Sequence, residues 1–308
     1  MSPEFELGTG WLPEGRDRRD HTIQRKSVAS ALERMGITAL LDGPKPLPAS
    51  VDLRRKCPPV FFQGGYNDCT ANVVATLVEY FHKRAGNRTG LISRLFLWKV
   101  ARNLAGVHGN SAVYIRQVMG ALKLIGVPPA KYFPYLRGGT LAAPTATDPR
   151  IDAEPTAFCY ALAGDYRSIS YYRLDFPRQS HAKLLELARA HLTAQVPFAL
   201  GFPLYESIKQ SMKTGKVPYP SGREKRLGNH AVMAVGYDDR IQICNSRPGS
   251  KPTTGALRIQ NSWSTGWGDR GFGWLPYRYV LEGHVRDVWT LTKMEWIDTL
   301  PFQANVGP

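Results

Sequence analysis

The spacing of apolar residues changes partway along the chain. Behind Cys69, the residues Val73, Val74, Leu77, Val78 and Phe81 recur at helical intervals and form one stripe. The pattern predicts a helix that starts at Cys69, with Asn67 or Asp68 as its cap. It predicts a second helix over 93–104 and a third over 111–125, stopped by Gly126 and Pro128. From about residue 165 the apolar residues come in short runs instead. Strands are predicted over 169–174 and 198–202, with a helix over 180–194 between them. A further strand is expected over 230–237, then a turn at Asp238 and Asp239, a returning strand over 241–244, and another over 256–260 ending at Asn261. A helix-rich half followed by a strand-rich half defines an α+β chain.

The first residues behave differently. Residues 1–10, MSPEFELGTG, read as a vector-encoded leader and are set aside. Residues 11–47 are polar and rich in Gly and Pro, with one short helix expected over 27–41 carrying Val28, Leu32 and Met35. The prolines at 44, 46 and 48 break regular structure, and the folded body is expected to begin near Val51.

Composition narrows the classes. Lys plus Arg number 40 against 25 Asp plus Glu, a formal charge of +15. The densest basic runs, 16–19, 54–56 and 223–226, are short and lack interleaved aromatics. An anionic ligand for the basic surface stays open, with general solubility the plainer reading. The four cysteines, Cys57, Cys69, Cys159 and Cys244, are too sparse for a disulfide scaffold and too far apart for a zinc motif. No metal or other cofactor is expected. No apolar run of eighteen residues occurs, so no membrane-spanning helix is expected. Cytoplasmic and secreted locations both remain open.

The stretch QGGYNDC, residues 63–69, carries the first chemical signal. A thiol at a helix start feels the positive end of the macrodipole, which favours the nucleophilic thiolate. The Gln63 amide and the free backbone N–H of Cys69 could donate to an oxyanion. A buried, inert cysteine behind a turn fits the same residues. Of seven histidines, His82 lies on the Cys69 helix, about 20 Å away at 1.5 Å per residue, and cannot serve as the base. His191 suits a structural role, and His21, His108, His181 and His284 stand in loop-like contexts. His230 opens an apolar strand and would project from a sheet rim. Asn261, followed by Ser262 and Trp263, supplies a carboxamide that could fix its tautomer.

Together these residues resemble the papain-like cysteine peptidases. Gln63, Cys69 six residues later, His230 at a strand start, Asn261-Ser262-Trp263 and Gly266-Trp267-Gly268 stand in the family's order. The lead-in Pro48-Ala-Ser-Val-Asp52-Leu-Arg54 and Gly236-Tyr237 also fit, so the resemblance covers roughly 48–285. Ser93-Arg-Leu-Phe-Leu-Trp98, Gly201-Phe-Pro-Leu-Tyr205 and Leu275-Pro-Tyr-Arg-Tyr279 point to its bacterial branch.

The resemblance implies a two-domain fold: a helical left domain and an antiparallel, β-barrel-like right domain, with the active site in the cleft between them. Residues 48–155 would form the first and 156–300 the second. It implies Cys69 as nucleophile, His230 as general acid/base, Asn261 as its orienter, and Gln63 with the Cys69 amide as oxyanion hole. Trp263 would shield the Asn–His bond, Trp267 would wall the leaving-group side, and Ala231 would line a substrate pocket. Asn110 and Ser111 stand nearest to the family's substrate rim. The implied function is a cysteine endopeptidase working through a thiolate–imidazolium pair and an acyl-enzyme on protein or peptide substrates. The alternative is a weak or inactive binding protein on the same fold. A monomer is expected. Residues 11–47 are expected to pack on the body, partly cover the cleft, and so act as an intramolecular inhibitor. The sequence departs from the family at Thr70, at Tyr66, which stands in place of a disulfide cysteine, and at Asp68, whose charge would oppose thiolate formation.

Overall fold

The computed structural model describes residues 9–15, 17–86, 90–135, 149–164 and 169–294. Residues 1–8 of the leader, Arg16 of the first basic run and residues 295–300 of the expected β-rich domain lie outside these.

The chain opens with α1 (Lys26–Arg34) and α2 (Ile37–Asp42), then β1 (Ser50–Asp52). Three helices follow: α3 (Cys69–Arg84), α4 (Arg94–Ala105) and α5 (Ile115–Leu124). After α6 (Ala157–Ala163) come β2 (Ile169–Arg173), α7 (His181–Thr193), β3 (Phe198–Tyr205) and β4 (Arg226–Ile243). The described part closes with β5 (Thr253–Gln260), β6 (Phe272–Pro276), α8 (Tyr277–Leu281) and β7 (Arg286–Met294). The strands form one antiparallel sheet in the order β2-β7-β3-β4-β5-β6, with β1 paired to β4. The α+β class read from the change in periodicity is what the structure has.

Helix α3 is buried from Cys69 to His82, and packs on α4, α5 and the strands β3, β4 and β7. Its apolar stripe therefore widened into an all-round interface, which is why even Thr70 and Asn72 are inside. Ser93 caps α4 by accepting from the Phe96 N–H, and Ser180 caps α7 through Lys183.

Three expected elements differ. The helix expected over 27–41 is two helices, because Gly36 takes a left-handed φ of 73° between them. The helix expected from 111 begins at Ile115; Asn110 is used instead to brace the loop before Cys69, and Ser111 to anchor Trp98 of α4. The turn expected at Asp238 and Asp239 is absent: β4 runs on to Ile243, with only a register shift against β5. The reason lies on its other edge. Strand β1 pairs with β4 through Asp238, and the Asp239 N–H bonds to the Ala49 carbonyl.

Candidate active site

Local hydrogen bonds set the loop before α3. Gln63 pairs with the segment after β5: its N–H bonds to the Ser262 carbonyl, and the Ser264 N–H bonds to that of Phe61. Ser262 Oγ donates to Gln63 Oε1 at 2.5 Å, which turns Nε2 away from Ser262; one N–H of Nε2 donates to the Tyr66 carbonyl at 2.7 Å, and the other stays available. Asn67 is tied to Asn110 by two bonds, from its N–H to Asn110 Oδ1 at 2.7 Å and from Nδ2 to the Asn110 carbonyl at 2.8 Å. Asn110 Nδ2 in turn donates to the Gly65 carbonyl at 2.9 Å. Ser111 accepts at its carbonyl from Trp98 Nε1 and bonds its hydroxyl to His108. Of the two residues proposed for the rim, Asn110 thus holds the loop in shape, and Ser111 ties α4 to its own turn. Asp68 takes the cap position of α3 but makes no side-chain capping bond; its carboxyl lies 2.7 Å from the Tyr135 hydroxyl instead. Tyr66, at the family's disulfide position, stacks on Trp98 and meets Tyr135 edge-on, so aromatic packing fills that place. All four cysteines are free.

Sheet register places the other side. Met233 of β4 lies opposite Gln260 of β5. Continuing that register past the end of β5 brings residue 263 opposite His230. The Trp263 ring stacks on His230 with centroids 4.5 Å apart, and Trp267 meets Trp263 edge-on. Trp267 is fixed by a bond from its Nε1 to Ser211 Oγ. His230 Nε2 lies 2.7 Å from Asn261 Oδ1. A carbonyl oxygen only accepts, so Nε2 carries the hydrogen and Nδ1 holds a lone pair. That Nδ1 has no hydrogen-bond partner among the described residues. The Asn261 oxygen also accepts from the Ser262 N–H, which fixes its amide.

The Cys69 sulfur faces the backbone N–H of Ala231, the residue after His230, so thiol and imidazole come from facing elements. Both side chains are fully buried. Burial pushes the Cys69 thiol well above its usual range, despite backbone N–H groups of Ala231, Thr70 and Trp11 that face it. Burial also lowers His230 to about 4, against the Asn261 bond. Both shifts favour a neutral pair.

The burial comes from the start of the chain, and it begins two residues before the expected 11–47 segment: Thr9 and Gly10, set aside above with the leader, take part in it. The Thr9 carbonyl oxygen accepts from Gln63 Nε2 at 3.1 Å and from the Cys69 N–H at 3.4 Å. Gly10 follows with a φ of 121°, and a Cβ there would fall 2.0 Å from the Asn67 carbonyl oxygen. Its own carbonyl accepts from the Val113 N–H, and Trp11 bridges Val113 in parallel. The Trp11 indole lies flat over Gly201, where a Cβ would come within 2.1 Å of the ring. Trp11 Nε1 and the Glu14 N–H both donate to Asp287 Oδ2 at 2.9 Å. A cluster of charges completes the seat: Arg116 pairs with Glu14 and Asp20, and Arg173 pairs with Asp20, Asp175 and Asp287. Further on, Val28, Leu32 and Ile37 join the main core.

Sequence reasoning did not reach Thr9, Val113, Asp287 or Tyr135, and it singled out Gly201 only as part of a family motif, not as the seat of Trp11. Two of them carried a signal: Asp287 is a lone acid in an apolar strand, and Gly201 interrupts one.

A cysteine at a buried helix start, across from a histidine whose far nitrogen is held by an asparagine under a tryptophan, on a helix-plus-antiparallel-sheet fold, defines a papain-like cysteine peptidase. Comparisons with known proteins support that family of hydrolases for this chain. A family profile described as "Papain family cysteine protease" matches residues 151–281. The crystal structure of xylellain, a cysteine protease from Xylella fastidiosa, superposes with a TM-score of 0.71 at 27% identity, over 94% of this chain and 97% of that one. An uncharacterized peptidase C1-like protein of Acanthamoeba polyphaga mimivirus is 26% identical over 97% of this chain and 90% of its own length. Cathepsin K of Gallus gallus is 27% identical over 73% of this chain and 58% of its own.

Proposed function

We propose that the protein is a cysteine endopeptidase that its own N-terminal segment holds latent. The observation that carries the reading is the seat of the Thr9 carbonyl. It takes both donors, Gln63 Nε2 and the Cys69 N–H, that an oxyanion at this sulfur would need. Those donors converge beside a thiol and an imidazole whose free nitrogen points away from Asn261.

Hydrolysis starts when the segment leaves. Water then reaches Cys69 and His230, the desolvation that holds both neutral falls, and the thiol proton passes to His230 Nδ1. The thiolate attacks a peptide carbonyl, and the carbonyl oxygen becomes an oxyanion between Gln63 and the Cys69 amide, each donor contributing about 3 kcal/mol. His230 gives its proton to the leaving amine and later takes one from water, which releases the acid from the thioester. Asn261 keeps Nε2 as the donor throughout, and Trp263 keeps water off that bond. Protein and peptide substrates follow from this chemistry.

Cys69→Ala should abolish hydrolysis of an unfolded protein substrate by the full chain. With Trp11→Ala added to unseat the segment, a thiol-directed peptidyl reagent should label Cys69 ahead of Cys57, Cys159 and Cys244, as read by mass spectrometry of the digested protein. Unchanged turnover in Cys69→Ala, or labelling spread evenly over the four thiols, refutes the reading.

A further inference from the structure

The Tyr135 hydroxyl lies 2.7 Å from Asp68 Oδ2 and 3.2 Å from the Gln63 carbonyl oxygen. A phenol has one hydrogen to give, and both neighbours are acceptors if Asp68 is ionised. One buried oxygen would then face another with no hydrogen between them, a costly arrangement. If Asp68 is instead a carboxylic acid, its hydroxyl donates to Tyr135, and Tyr135 donates to Gln63. Every hydrogen then has an acceptor, and the chain ends on the residue whose side chain serves the oxyanion.

The surroundings agree. Asp68 is wholly buried and Tyr135 nearly so. The titratable groups that face Asp68 are Tyr135, Cys69, Tyr66, and Arg94 and Arg102 from α4. Both arginines are already paired, Arg94 with Glu79 and Arg102 with Asp152. Burial pushes Asp68 up to about 7, against the Tyr135 bond and the Arg94 charge.

We propose that Asp68 is a positioning residue for the hydrolysis, acting as a neutral acid. Through Tyr135 it holds the Gln63 carbonyl, and while protonated it spares Cys69 an adjacent negative charge. This rests on the peptidase reading above. When Asp68 ionises, Tyr135 turns its hydrogen to the carboxylate, Gln63 loses a donor, and thiolate formation at Cys69 becomes harder.

The test compares wild type, Asp68→Asn and Tyr135→Phe, each as the full chain, with thermal melts to check folding. An asparagine amide can still donate to Tyr135 but cannot ionise. Two profiles are read against pH: kcat/KM on a fluorogenic peptide, and the rate of Cys69 alkylation by iodoacetamide, located by mass spectrometry. Wild type should lose rate above neutrality, and Asp68→Asn should keep it to a pH higher by about one unit. Tyr135→Phe should lower kcat with little change in KM, and also raise the limb, because Asp68 loses a bond that favours its ionised form. The proposal is overturned if both profiles of Asp68→Asn follow wild type. Should Asp68→Asn not fold, a Tyr135→Phe protein with the kcat and limb of wild type overturns it equally. If no variant turns over peptide even with Trp11→Ala added to unseat the segment, the peptidase reading fails by itself, while the alkylation profiles still judge Asp68.

Discussion

Two buried acidic neighbourhoods flank the seated N-terminal segment, and they are built on opposite plans. Beneath it, Asp68 belongs to a network of neutral bonds through Tyr135, Gln63 and Ser262, and the arginines that face it are paired elsewhere. Beside it, Glu14, Asp20, Asp175 and Asp287 share Arg116 and Arg173, so four carboxyls meet two guanidinium groups. The excess of acid shows in the protons. Burial raises Glu14 to about 7, against the Arg116 charge, and raises Asp287 to about 6, against Arg173. The fixed part of the site is thus held by bonds that pH hardly touches below neutrality. The removable part is held by groups that titrate near it.

The comparison can be broken from either side. The largest effect should come from the fixed part. Gln63→Ala removes one of the two donors around the Thr9 carbonyl and should lower kcat by about 10² to 10³, measured by single-turnover hydrolysis of a peptide ester. A smaller loss would mean that the Cys69 amide suffices alone. Next comes the plug itself. Trp11→Ala removes the ring over Gly201 and the bond to Asp287, and burial lost on that scale is worth about 3 kcal/mol. Steady-state turnover by the full chain should therefore rise by at least about tenfold. No rise, with the protein still folded, would remove the segment as an inhibitor.

The smallest effect sharpens the contrast in pH. Glu14 holds its proton more tightly when the segment is seated than when it is free. Seating is therefore strongest in acid, and weakens as the pH rises from about 5 through 7. Glu14→Gln mimics the protonated form. Turnover of this variant should equal wild type near pH 5 and fall below it by about fivefold near pH 8. Initial rates across that range decide it, and a variant faster than wild type at pH 8 would reverse the assigned sign.

The α+β class was legible because it lies in local periodicity, a property of neighbouring residues. Gln63, Cys69, His230 and Asn261 were also marked in the sequence, by a turn, a helix start, an apolar run and a strand end, and the structure gathers them into one candidate site; His230 itself lies inside β4, which begins earlier, at Arg226. The partners across long loops were not legible. Trp11 meets Asp287 only because β7 lies beside β3, and no window of sequence spans both. Tyr135 reaches Asp68 across 67 positions. The expected turn at Asp238 failed for the same reason, since its local signal was overridden by the pairing of β1 with β4. The contribution of Asp68 was read from its formal charge alone, and burial changes what that charge is.

Gly10 threads a gap that admits no side chain, in a backbone shape L-residues avoid. An ordinary polypeptide entering the groove cannot retrace that route, whatever its sequence around the bond to be cut. Competition between client and stopper is then over the same donors but not over the same track. A synthetic blocker copied from the stopper would have to keep its glycine, or swap it for a D-residue.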